Sequence, residues 1–126
     1  MLPTILQETL NLRGVTSMPN EKYLFACKMG KTRSKTAAHV AWQIADEFGL
    51  DAEMFFGSVG EVTCDNEMRT HLNSYSRIFV MELWMASRVR ACGYKGRLNC
   101  LNVPDIYSPF EKPLEDILRN KLEKLI

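Results

Sequence analysis

Apolar residues along the chain come in short dense blocks alternating with helical stripes. Tyr23-Leu24-Phe25-Ala26 is a continuous apolar block, the signature of a strand covered on both faces. From residue 34 to 48 the period lengthens. Ala37, Ala38, Ala41, Ile44, Ala45 and Phe48 form one helical stripe, and Gly49 is placed to end it. The small alanines let such a helix lie close to a sheet. Residues 54–56 predict a second strand, followed by the turn Gly57-Ser58-Val59-Gly60, and 65–72 carry one or two helical turns. Arg77-Ile78-Phe79-Val80-Met81 is a third strand, 83–94 a helix closed by Gly93, and 96–103 a fourth strand. Leu114, Ile117, Leu118, Leu122 and Leu125 then keep helical spacing to the C-terminus. Trp42 and Trp84 fit helix-to-sheet packing.

Strand and helix alternate without internal repeats, which argues for an α/β fold: an open, mostly parallel sheet with helices on both faces. Residues 1–20 read as an extension preceding a single domain of residues 21–126. Within the extension Leu2, Ile5, Leu6 and Leu10 share a helical face, and Thr4 with Gln7 has capping-box spacing. It suits a helix over the sheet edge or a partner-binding arm.

The chain of 126 residues, 46% apolar, fills one core. Its net charge of +1 gives no reason to expect nucleic acid or an anionic membrane as the main partner, so any anion must be caught by a local site. No apolar stretch is long enough to span a bilayer and no secretory signal opens the chain, so a cytoplasmic location is expected. Cys27, Cys64, Cys92 and Cys100 match neither a small disulfide scaffold nor a zinc site, and all four are expected as free thiols, the last three as buried small hydrophobes. His39 reads as a helix-surface or packing residue, and His71 lacks partners at metal-ligand spacing.

The candidate chemistry lies in Cys27-Lys28-Met29-Gly30-Lys31-Thr32-Arg33-Ser34, where a buried strand meets a helix N-terminus. A loop of this length curls its amides around an oxyanion, Gly30 supplies a position free to take positive φ, and Arg33 returns to grip the anion with its planar fork. The helix dipole, the amides, Arg33 and the Ser34 hydroxyl all favour negative charge, so Cys27 is expected to ionise below the usual thiol range. A thiolate attacking a phosphate monoester also needs a proton donor for the leaving oxygen. Asp105, after Pro104 at the carboxyl end of the fourth strand, is the candidate; a turn aspartate in a Pro-Asp pair is the plain alternative.

Together with the 57–60 turn, Ile78-Phe79-Val80-Met81-Glu82 and Asn102-Val103-Pro104-Asp105-Ile106-Tyr107, this loop resembles the low-molecular-weight protein tyrosine phosphatases, in particular their short bacterial and phage branch. The resemblance runs from about residue 22 to the C-terminus. It implies a three-layer fold with a four-stranded parallel sheet in the order 2-1-3-4. It implies Cys27 as nucleophile, Arg33 as phosphate clamp, Ser34 as the hydroxyl that stabilises the thiolate, and Asp105 as general acid and then base. Tyr107 would be an aromatic wall for the substrate ring. Lys28, Met29, Gly30, Lys31 and Thr32 complete the phosphate loop. The chain departs from the family pattern at Gly30, where better-known members carry a bracing asparagine, at Thr32, where many carry a second cysteine, and at Lys35, where proline is usual.

The expected function is therefore a phosphomonoesterase working through a cysteinyl-phosphate, without metal or organic cofactor. Its partner would be a phosphorylated protein or a small phosphoester, with a phosphorylated nucleotide or RNA end left open, and the protein a monomer or weak dimer. Two alternatives stand beside it: an arsenate reductase of the same fold, relaying electrons through Cys92 or Cys100, and a module that binds phosphate without cleaving it.

Overall fold

The computed structural model describes residues 21–59 and 64–126. The expected arm at residues 1–20 and the last position of the 57–60 turn lie outside the described residues. Strand β1 (Glu21–Cys27) leads through the 28–32 loop into α1 (Arg33–Phe48). The chain continues through β2 (Ala52–Ser58), α2 (Asn66–Leu72), β3 (Arg77–Val80), α3 (Leu83–Ala91), β4 (Arg97–Cys100) and α4 (Lys112–Leu125). All pairings are parallel and the order is β2-β1-β3-β4, as expected from the resemblance.

The register aligns the carboxyl ends of the strands. Cys27 pairs with Ser58, Ala26 with Val80, and Val80 with Cys100, so the carboxyl ends of the four strands share one rim. Beyond β4 the chain keeps hugging β3: Leu101 N–H donates to Val80 O at 2.8 Å and Val103 N–H to Met81 O at 3.0 Å. This delivers Asp105 to the rim that Cys27 occupies.

The core forms because β1 and β3 are apolar on both faces. Phe25 and Phe79 are fully buried and stack at 4.7 Å between centroids. On one side α1 settles on the sheet through Ala37, Ala41 and Ile44, all buried, and α4 adds Leu114, Leu118 and Leu122. Gly49, at φ 68°, ends α1 by donating its N–H to Ala45 O.

Four expectations are corrected here. Trp42 is 57% exposed because the small residues of α1 make the close sheet contact, and Trp84 is 41% exposed because α3 buries Met85 and Val89 while the Trp84 indole donates to Glu82. Phe48, assigned to the buried stripe, is exposed in the last turn of α1, beyond the part of the helix that packs on the sheet. The fourth strand stops at Cys100 because Asn102 takes a left-handed backbone, φ 54°, which breaks extended geometry. Cys64 and Cys92 are not free thiols but a disulfide, with Cα atoms 4.9 Å apart, joining the segment before α2 to the C-cap of α3. Cys27 and Cys100 remain free.

Candidate active site

Cys27 ends β1, and α1 begins at Arg33 with Thr32 as its cap residue, which makes no side-chain capping bond. An uncapped helix end presents its first N–H groups to an anion. The Cys27 sulfur lies between the loop and this helix end: the loop's Gly30 N–H donates to Sγ at 3.2 Å, and Sγ shares a 3.1 Å hydrogen bond with Ser34 Oγ in the first turn of α1. Burial pushes the Cys27 thiol up. The Ser34 hydroxyl and the amides of Ser34, Gly30 and Lys31 together outweigh it, holding the thiol below its ordinary range. As a thiolate, the sulfur accepts from the hydroxyl and the amides.

The loop keeps this shape through a close backbone contact. Gly30 has φ 69°, and a Cβ there would lie 2.8 Å from the Gly57 carbonyl carbon and 2.9 Å from the Ser58 nitrogen. Only glycine meets both demands. Where the family pattern has a bracing side chain, this chain braces the loop from the end of β2. Ser58 Oγ donates to Lys28 O, and Val59 N–H donates to Cys27 O at 3.1 Å.

Arg33 is the largest fully buried side chain of the protein's described residues. Its Nη1 donates to Glu82 Oε2 at 2.6 Å and to Val103 O at 2.7 Å, while its Nε lies 3.7 Å from Asp105 Oδ1. Trp84 Nε1 donates to the other oxygen of Glu82 at 2.9 Å. Hydrogen bonds from Arg33 and then Trp84 hold the Glu82 carboxyl below the usual glutamate range. A buried guanidinium so held is fixed in place between Glu82, the Val103 carbonyl and Asp105.

The structure thus brings Cys27, Ser34, Arg33 and Asp105 to one rim, with the Asp105 side chain 61% exposed. Lys28, Met29 and Lys31 point to solvent around the mouth, and Thr32 is half-buried. Tyr107 is half-buried against the core, whereas its neighbour Ile106 is 74% exposed. His39 contacts Gln43 at 3.2 Å, and His71 contacts the Tyr75 hydroxyl at 3.4 Å. Among the described residues no three His, Cys, Asp or Glu side chains are grouped as metal ligands. Glu82 is the residue whose role the sequence reading missed. Its signal was an acid placed directly after the third strand, on the rim where a buried arginine needs a counter-charge.

No family model and no curated relative matches the chain. Solved structures do. A low-molecular-weight phosphotyrosine phosphatase from Vibrio cholerae O395 aligns at TM-score 0.66 with 11% identity, covering 84% of this chain and 94% of its own. The tyrosine phosphatase AmsI of Erwinia amylovora aligns at 0.60 with 16% identity, over 92% and 95%. YwlE from Bacillus subtilis, described as an arginine phosphatase and solved with a phosphorylated active-site serine, aligns at 0.59 with 18% identity, over 82% and 94%. Each is similar along nearly its whole length. With its sheet order, its helix placement and these neighbours, the chain has the fold of the low-molecular-weight protein tyrosine phosphatases.

Proposed function

We propose that the protein is a cysteine-dependent phosphomonoesterase. The observation that carries this reading is the Cys27 sulfur, buried yet held toward the thiolate by Ser34 and the loop amides, at the rim where Arg33 pairs with the solvent-exposed Asp105.

In the first step the thiolate forms a bond to phosphorus as the ester bond breaks, and Asp105 gives its proton to the departing oxygen. Arg33 and the loop amides stabilise the equatorial phosphoryl oxygens. In the second step Asp105, now a carboxylate, takes a proton from water. The water oxygen attacks phosphorus, and Cys27 leaves as a thiolate eased by the Ser34 hydroxyl. Tyr107 flanks the substrate. These steps need no metal or organic cofactor.

The substrate is a phosphorylated protein, with small phosphoesters accepted by the same loop. Such a role fits a protein of the cytoplasm, and among the described residues no helix is long and apolar enough to cross a membrane. An electron relay from Cys27 is less well supported, since Cys92 is bonded to Cys64 and the Cys27 sulfur contacts Ser34 and Gly30 rather than another cysteine. A module that only binds phosphate has no use for Asp105 as proton donor.

The deciding experiment is rapid-quench mass spectrometry during turnover of p-nitrophenyl phosphate. A transient gain of one phosphoryl group on Cys27, absent in Cys27→Ser, supports the reading. Product release without that adduct ends it.

A further inference from the structure

Phe110 adopts a left-handed backbone, φ 59°, which bulky side chains rarely take, and so marks a place where the surroundings impose the conformation. Its N–H donates to Thr36 Oγ1 at 3.1 Å, and the Thr36 hydroxyl donates to Thr32 O at 2.8 Å. The residue is fastened to the first turn of α1. His39 meets the Phe110 ring edge-on at 5.3 Å, and Lys35 Nζ stands 5.9 Å from the ring centroid.

Trp42 continues the row, 6.5 Å from His39, and Met54 and Phe56 of β2 form the opposite wall. The result is an open groove of about 300 Å³ with exposed aromatic walls. It flanks the phosphate loop: Lys35 lies two residues beyond Arg33 in the first turn of α1, and Phe110, in the segment that follows Asp105, is linked through Thr36 to the carbonyl of Thr32.

We propose that this groove is a second substrate subsite, which takes the peptide segment beside the phosphorylated residue. It seats an aromatic or large aliphatic side chain against Phe110 and Trp42 and a carboxylate against Lys35. The inference rests on the phosphatase reading and names its substrate class. Two features favour a peptide. The groove runs along β2, which among the described residues is an edge strand of the sheet, and the outer main-chain groups of such a strand can pair with an extended segment. Its lining has a cation and no carboxylate, so it favours an acidic peptide, and it has neither a carboxylate nor a carboxamide to read a base edge in bidentate fashion.

The test compares p-nitrophenyl phosphate, which ends at the phosphate loop, with two phosphotyrosyl peptides. One has phenylalanine and glutamate flanks; the other has only glycine and serine. Phe110→Ala and Trp42→Ala replace exposed side chains, and both variants are expected to keep aryl phosphate turnover within twofold. For the phenylalanine–glutamate peptide kcat/KM falls tenfold or more through KM, and the glycine–serine peptide is unaffected. Equal effects on all three substrates, or none, overturn the subsite. So does competition by adenosine 5′-monophosphate that these two variants abolish. If the wild type cleaves no aryl phosphate, the phosphatase reading falls by itself. The groove is then decided by peptide affinity of the Cys27→Ser protein: at least fivefold weakening by Phe110→Ala, restricted to the phenylalanine–glutamate peptide, supports it, and unchanged affinity removes it.

Discussion

The guanidinium of Arg33 and the carboxylate of Glu82 meet at 2.6 Å across the mouth of the sheet, tying the start of α1 to the start of α3. On the proposed phosphatase reading Glu82 is a positioning residue, since it reaches the phosphate only through Arg33. Glu82→Ala leaves the buried guanidinium one anchor short, and we expect kcat/KM to fall by about 10- to 100-fold with weaker vanadate inhibition. Glu82→Gln keeps an acceptor and should recover much of that loss. A Gln variant as poor as Ala would mean that charge, not placement, is what Glu82 supplies. Because the folded Glu82 carboxyl is depressed, its contribution to stability is present above the ordinary glutamate pKa of about 4.3 and is lost as pH falls through the lower folded value.

The Cys27 thiol is governed by the same sign. With its folded pKa depressed, the thiolate is populated below the ordinary thiol value of about 8.5, and the thiolate's reactivity is lost as pH falls through the folded value. Iodoacetamide labelling of the native protein should show its midpoint below that ordinary value. Ser34→Ala removes the leading stabilising contact, leaves burial unopposed by it, and should move the midpoint upward. An unmoved midpoint would assign the depression to the amides alone.

Asp105 is tested by its leaving-group dependence. If it protonates the departing oxygen, Asp105→Asn slows poor leaving groups by about 10²-fold or more and good ones progressively less. Steady-state kinetics over a series of substituted phenyl phosphates reads this directly. A uniform loss across the series would place Asp105 among the residues that hold Arg33 instead.

Much of the architecture was legible because its strands are unusually clear. Ile78-Phe79-Val80 and Leu24-Phe25-Ala26 are buried on both faces, and a continuous apolar run is the form such strands take. The edge strand was harder. Only the middle of β2 looked like a strand, yet all seven of its residues pair with β1, because pairing along a neighbour and not local pattern extends it. The loop with Cys27 and Arg33 could be read from spacing, since its amides, nucleophile and clamp are contiguous. Glu82 could not, because its value arises only when β3 is laid beside β1. The Cys64 and Cys92 pairing was hidden for the same reason: it joins the residue before α2's cap to the end of α3, which no spacing rule encodes. The tryptophans misled because hydrophobicity states a preference for burial and not which neighbour supplies it.

Gly30 gives a sharp test of how the loop is braced. A methyl group there meets Gly57 and Ser58 backbone at 2.8–2.9 Å and sits on a residue with φ 69°, so Gly30→Ala must either strain the loop or push it away from β2. We expect a loss of about 1–3 kcal/mol in stability and a larger loss in turnover, because the Gly30 N–H that faces Cys27 moves with the backbone. Ser58→Ala removes the opposing hydroxyl brace without a clash and should be milder on both measures. Denaturant titration and aryl phosphate kinetics on the two variants separate the effects. Turnover retained in Gly30→Ala would show that the loop tolerates retreat from β2.

The Cys64–Cys92 disulfide closes a span of 28 residues, a length for which chain-entropy arguments give about 3–4 kcal/mol of stabilisation by restricting the unfolded chain. It also joins two segments that touch the phosphate loop at their other ends. From Cys92, α3 runs back to Glu82, which holds Arg33; upstream of Cys64 lies Ser58, which holds the Lys28 carbonyl. Reduction should therefore lower the melting temperature by roughly 10 °C. Disulfides are uncommon in reducing compartments, so in a cytoplasmic protein this bond would be a reversible constraint. Cys64→Ser should melt with the reduced wild type and lose all response to reductant, while Cys100→Ser, which lies outside the pair, should melt and respond as the wild type does. Identical melting of the wild type with and without dithiothreitol would show that the two sulfurs do not constrain the fold.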